Sequence, residues 1–181
     1  MSNAVVFTLA IVLAGLAGYA TQSYLFEEQQ VELAGSAEVV GQIRQEFAIR
    51  DINGDIRNIN EWDDKVILLN FWATWCPPCL KEIPVLIELQ DRFGDAGLQV
   101  LGVAMDNEDA VSLFVEDSGM NYPVMAGEGE VIELARRYGN RIGALPYSVI
   151  IDRNSKIHST FAGELTRKQA LDLLESAGLQ I

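Results

Sequence analysis

The sequence predicts an α/β sandwich in which helices flank a central mixed β-sheet. Three observations carry this. Residues 66–71 and 98–105 are runs apolar on both faces, as expected of central strands covered by helices on either side. Each run leads into a helix-like segment. The last quarter of the chain then reads as two adjacent strands and a helix, so parallel crossovers are followed by an antiparallel closure.

The elements follow in chain order. Residues 46–52 and 55–59 flank Asn53-Gly54, a strong hairpin signal because both residues tolerate positive φ. After the strand at 66–71, a helix is expected to run to Phe93, with Gly94 as its stop. Pro84 should kink it, since an interior proline cannot donate to the preceding turn. The strand at 98–105 is followed by a helix over 109–117, capped by Asp106 or Asn107. Residues 122–125 read as a short strand and 131–138 as a helix stopped by Gly139. Residues 147–152 and 156–161 form an antiparallel pair. Thr166-Arg167-Lys168-Gln169 is a capping-box pattern that opens a last helix ending near Gly178. Leu171, Leu174 and Ala177 repeat at helical spacing and are read as core. His158 lies in the alternating stretch 156–161 and is read as a surface strand residue.

The chemistry is concentrated in Trp75-Cys76-Pro77-Pro78-Cys79, which holds both cysteines of the chain. A C-x-x-C pair between a buried strand and a helix start is the arrangement of a reversible dithiol. If Cys76 lies at the helix end and Cys79 one turn in, the sulfurs come within bonding reach. Unpaired N–H groups and the helix dipole then favour the Cys76 thiolate, lowering its pKa from about 8.5 towards 7. Pro77 suits the first helical position, where no N–H is needed. Pro78 stiffens the loop and removes another competing donor. As a purely structural disulfide the pair would close a ring too short to stabilise much. A zinc site needs four ligands, and the chain has two cysteines and a single histidine. No metal, nucleotide or haem motif is visible, so no cofactor beyond a redox-active Cys76–Cys79 disulfide is expected.

The stretch Asn70-Phe71-Trp72-Ala73-Thr74-Trp75-Cys76-Pro77-Pro78-Cys79, followed by Glu82 and Pro84, resembles the thioredoxin superfamily. More narrowly, it is similar to the TlpA/ResA-like membrane-anchored thiol-disulfide oxidoreductases of bacteria. By order of elements the resemblance covers roughly residues 46–178, and it is most specific at 70–84. It implies a thioredoxin-like sandwich with an N-terminal β-hairpin and a central αβ insertion. Gly143-Ala144-Leu145-Pro146-Tyr147-Ser148 also fits. The resemblance makes Pro146 the cis-proline facing the cysteines, and Leu145 and Tyr147, with Pro146, the contacts for an incoming peptide. Glu82 matches the family's glutamate; it reads either as a group moving protons near Cys79 or as an exposed helix charge. Trp75 reads as apolar contact near the exposed sulfur or as simple loop packing. The chain departs from thioredoxin itself in having Asn70 in place of a buried acid, and Tyr147-Ser148 where threonines are often seen. Peroxiredoxins share the fold, but their proline seven residues and their threonine or serine three residues before the reactive cysteine are here Leu69 and Ala73.

With 181 residues the chain suits one domain with a substantial core. Residues 4–20 are apolar, broken by Thr8 and glycines. The expected division is a signal anchor or cleaved signal peptide over 1–25, a linker or stalk over 26–42, and a thioredoxin-like domain over 43–181. The first basic residue is Arg44, so charge says little about orientation. A net charge of −13 argues against nucleic-acid binding and against docking on anionic lipid. The expected function is a protein thiol-disulfide oxidoreductase acting on disulfide-containing partner proteins, with a membrane-embedded thiol transporter as the electron source that the resemblance implies. Anchoring through the N-terminal helix would place the domain in the periplasm; signal cleavage would leave it soluble there. The competing expectations are a redox-responsive binding protein without turnover and a thiol peroxidase.

Overall fold

The computed structural model describes residues 38–181 together with Leu13, Leu16, Gly18, Tyr19, Thr21 and Gln22. The expected anchor over 1–25 and the stalk over 26–42 therefore lie largely outside the described residues. Among the described residues no helix is long and apolar enough to cross a membrane.

Strands β1 (Ala48–Arg50) and β2 (Ile56–Asn58) pair antiparallel and lead through a 3-10 turn, Ile59–Trp62, into β3 (Val66–Trp72). Then come α1 (Pro77–Phe93), β4 (Leu98–Met105), α2 (Glu108–Ser118), β5 (Val124–Gly127) and α3 (Gly129–Arg137). The chain closes with β6 (Tyr147–Ile151), β7 (Ile157–Ala162) and α4 (Arg167–Ser176). The main sheet has the order β5-β4-β3-β6-β7. β3, β4 and β5 are parallel, which demands the helical crossovers α1 and α2. β6 runs antiparallel to β3, with Phe71 opposite Tyr147, and β7 antiparallel to β6. Among the described residues, the mixed sheet and helices α1–α4 form a thioredoxin-like α/β fold.

All seven residues of β3 are buried, so alternate side chains enter two different cores. Val66, Leu68 and Trp72 pack with Ile83, Leu86 and Leu89 of α1 and with Leu174 of α4. Cys76 and Cys79 belong to this first core. Ile67, Leu69 and Phe71 pack on the other face with Trp62, Leu134 and Tyr138. Asn70 shares the parity of Leu68 and Trp72, which puts it on the face that carries the cysteines.

The local signals are realised with small displacements. Gly54 sits at φ 90°, the turn conformation that Asn53-Gly54 announces, but the two strands shrink to three residues each. Asp51 is the cause: its Oδ1 accepts the N–H groups of Asn53 (2.9 Å) and Asp55 (3.0 Å), turning the strand ends into part of the turn. β5 begins at Val124 rather than 122, because Pro123 has no N–H for the ladder. α1 continues through Pro84 as one element, and α3 begins at Gly129 instead of 131. Asn107 caps α2 by accepting from the Ala110 N–H, and Thr166 and Gln169 form the expected capping box on α4.

Candidate active site

The site grows from the C-terminal ends of β3 and β4, where an open parallel sheet offers its crevice. Asp106, at the end of β4, fixes the loop that leaves β3: its Oδ2 accepts from the Thr74 N–H (3.2 Å) and hydroxyl (2.5 Å). Burial opposes ionisation of Asp106, but these bonds outweigh it and hold its carboxyl below the ordinary value. Trp75 projects from this loop at 66% exposure. Cys76 is the N-cap of α1, in an extended conformation, and makes no side-chain capping bond.

Cys76 and Cys79 form a disulfide with their Cα atoms 5.3 Å apart. Cys76 retains 4% exposure and Cys79 none, so the pair meets solvent through Cys76. Pro77 and Pro78 occupy the first two helical positions. They carry no N–H, so Cys79 supplies the first backbone donor of the helix, and the next, from Leu80, goes to the Cys76 carbonyl at 3.2 Å. The positive end of α1 thus lies at Cys76 with few groups competing for it.

The Leu145–Pro146 peptide is cis. The loop before it is held by the buried Asn140, whose Nδ2 donates to the Ala144 carbonyl (2.8 Å) and whose Oδ1 accepts from the Ala144 N–H (2.9 Å). Tyr147 is placed elsewhere than the sequence suggested. Its side chain enters the second core beside Phe71 and donates its hydroxyl to the Tyr138 carbonyl at 3.1 Å, so it presents no ring to the cysteines.

Glu82 is 1% exposed, which removes the reading of a solvated helix charge. Three residues from Cys79, it lies on the same face of α1. Its Oε1 accepts from Asn70 Nδ2 at 2.7 Å and its Oε2 from the Leu165 N–H at 2.8 Å. Asn70 Nδ2 also donates to Ser148 Oγ at 3.0 Å. No cation balances the carboxylate among its hydrogen-bond partners. Burial pushes its pKa up to about 7, and the bonds from Leu165 and Asn70 only moderate the rise. The sequence did not single out Asn140 or the Ser148 contact. Ser148 faces Asn70 only through the β3–β6 register, and register between strands so far apart in the chain has no local signature.

His158 lies on β7 with Nε2 3.0 Å from Ser176 Oγ, remote from this cluster. Among the described residues no group of three or more His, Cys, Asp or Glu side chains is arranged to hold a metal ion.

A disulfide at the positive end of a helix, one turn from a buried carboxylate, in a fold that also carries a cis-proline, defines a thiol-disulfide oxidoreductase of the thioredoxin fold, and the comparisons with known proteins agree. The chain belongs to the AhpC/TSA family, whose sequence model matches residues 40–160. It is 30% identical over 169 residues to the thiol-disulfide oxidoreductase ResA of Bacillus cereus (strain ATCC 10987 / NRS 248), covering 92% of this chain and 91% of that protein. It is likewise 30% identical over 169 residues to ResA of Geobacillus thermodenitrificans (strain NG80-2), covering 93% and 91%. Among solved structures, a thioredoxin-family thiol:disulfide interchange protein from Chlorobium tepidum TLS superposes with a TM-score of 0.69 at 26% identity, covering 75% of this chain and 94% of that one.

Proposed function

We propose that the protein reduces disulfides in partner proteins outside the cytoplasm, with Cys76 as the attacking sulfur and Cys79 as the resolving one. The observation that carries this reading is the unequal burial of the pair: Cys76 keeps 4% exposure and Cys79 none.

In the reduced protein the Cys76 thiolate attacks one sulfur of the partner disulfide. A mixed disulfide forms and the partner's other sulfur leaves as a thiolate, which takes up a proton. Cys79 then gives its proton to Glu82, and its thiolate attacks Cys76 Sγ. The Cys76–Cys79 bond forms and the second partner sulfur departs as a thiolate. The partner has gained two electrons and the protein dithiol has lost them. Glu82 suits the proton step because a carboxyl near pKa 7 is divided between its two forms at neutral pH. Asn70 and the Leu165 N–H hold it in place. Pro77 and Pro78 keep the helix end free of competing donors. Leu145 offers its backbone to the partner chain in the manner of an added strand; the Pro146 carbonyl already accepts from the Gly163 N–H at 2.8 Å, and Tyr147 is paired within the sheet with Phe71 and Ala162. Trp75 supplies apolar contact beside the reacting sulfur.

Return to the dithiol needs an external dithiol donor, and a membrane-embedded thiol transporter fits an anchored domain facing the periplasm. The resemblance to ResA makes apocytochrome c, before haem attachment, the first substrate to try. Thiol peroxidase activity is less well supported, because Leu69 and Ala73 are buried and apolar and offer a peroxide no hydroxyl. A redox-responsive binding protein would use the same switch without turnover.

Trapping tests the reading. Cys79→Ser should accumulate a mixed disulfide with the substrate protein, because the resolving thiol is gone. Equal trapping by Cys76→Ser would overturn the assignment of the attacking sulfur. Catalytic reduction of a model protein disulfide with a regenerating reductant separates an enzyme from a switch.

A further inference from the structure

A groove of about 260 Å³ lies between the loop carrying Trp75, α3 and the segment that leads to the cis-proline. It is smaller than the roughly 300–1,000 Å³ of small-molecule sites and suits side chains of a polypeptide. Ile132 and Ile142 line it and remain 39% and 46% exposed, together with the 66%-exposed Trp75 and Leu145. Isolated exposed apolar residues are ordinary, but these share one depression with Trp75, the residue that precedes Cys76.

The charge of the lining runs against that of the protein. The chain has 26 acidic and 13 basic residues, yet the groove is lined by Arg136 and Arg141 and by no Asp or Glu. Arg136 pairs with Glu133, and Arg141 with Glu38, but those carboxylates are 67% and 59% exposed. Exposed pairs of this kind hold weakly and can be exchanged for an incoming carboxylate. The depression is also shaped in advance, since Asn140, which lines it, is pinned to Ala144 by two hydrogen bonds.

We infer that this groove receives the segment flanking the partner's disulfide, with one apolar side chain laid on Ile132 and Ile142 and an acidic residue towards Arg136 and Arg141. The inference rests on the oxidoreductase reading and adds a substrate class to it: disulfides flanked by an apolar and an acidic residue. Trp75, which lines the groove, immediately precedes Cys76, so a chain bonded to Cys76 has the groove within reach.

The test uses three synthetic peptides, each closed by one internal disulfide and flanked by Leu-Glu, Leu-Lys or Ser-Ser. The reduced protein should show kcat/KM for the Leu-Glu peptide about threefold to tenfold above Leu-Lys at low salt, as expected for two surface arginines. The ratio should shrink towards one at about 0.5 M salt. The Ser-Ser peptide should be reduced less efficiently than the Leu-Glu one. In Arg136→Glu/Arg141→Glu the Glu-over-Lys preference should invert, with each rate normalised to the same variant's reaction with a small aromatic disulfide. Equal rates for the three peptides, or a preference untouched by salt in the wild-type protein, overturn the groove and leave the oxidoreductase reading standing. Failure to reduce any peptide, with Cys76 still reactive towards the small disulfide, overturns both.

Discussion

Two carboxylates are buried in this domain, Asp51 in the β1–β2 hairpin and Glu82 in the first turns of α1, and they are treated in opposite ways. Asp51 is 2% exposed and fully partnered. It accepts two backbone N–H groups and faces the Arg57 guanidinium at 3.6 Å. Arg57 is in turn paired with Glu61 at 2.6 Å. Glu82 is as deeply buried but accepts only neutral donors, from Asn70 and Leu165. A carboxylate with a cation and backbone donors has all its partners in place, and its use is to fix a turn. One held by neutral donors alone is more easily protonated, which is what the proposed proton step asks of Glu82.

The largest effect that can sharpen this contrast is at the sulfurs themselves. Cys76→Ser should lower turnover on a protein disulfide by about a thousandfold or more while leaving thermal unfolding of the domain nearly as in the oxidised-then-reduced parent. A chemical rather than architectural role for the α1 end predicts this split, and coupled reduction assays beside calorimetry check it.

Glu82→Gln comes next. The resolving step should slow by about a hundredfold, seen as a mixed disulfide that builds up in rapid-quench experiments. The same variant has a signature in stability. Because the folded-state pKa of Glu82 lies near 7, above its unfolded value, the native state holds a proton that the unfolded chain releases between about pH 4.5 and 7. Stability from this group is therefore present in full below that window and is lost as pH rises through it, by up to about 3 kcal/mol. Urea titrations of the wild-type protein should show this decline and those of Glu82→Gln should not. A wild-type stability that rises across the window would contradict the assigned shift.

Asp51→Ala should do the reverse of Glu82→Gln. Two backbone N–H groups and Arg57 lose an acceptor, which costs about 2 kcal/mol, while turnover per folded molecule stays at the wild-type level. A large loss of turnover at full folding would break the division between the two regions. The smallest expected effect is at the hairpin tip. Gly54→Ala meets no neighbouring atom, but φ is 90° there, so a loss of about 1 kcal/mol should appear in the denaturation midpoint.

What could be read from the sequence was what is local in it. The hairpin at Asn53-Gly54, the capping box at Thr166 and the cysteine pair at the strand-to-helix junction each depend on neighbours a few residues away. The two faces of β3 were legible because both are apolar. Glu82 was not legible as a buried group, since nothing on its own helix buries it. Its partners are Asn70, twelve residues back, and Leu165, 83 residues ahead. Asn140 escaped notice for a different reason: its clamp on Ala144 is local, but an asparagine in a glycine-containing loop reads first as a turn former. Tyr147 was read by analogy of position, whereas the pleat assigns its ring to the face away from the cysteines.

The two segments that precede the central strand also finish the sheet. The hairpin lies along β5, with Asp51 bridged to Met125 and the Ile52 N–H donating to the Val124 carbonyl at 3.1 Å. Residues 41–44 bond to the start of β7, through Gly41 to Ile157 and Arg44 to Ser155. Main-chain groups that would otherwise invite a foreign strand are thus engaged along β5 and at the start of β7. Self-association into ribbons is discouraged there.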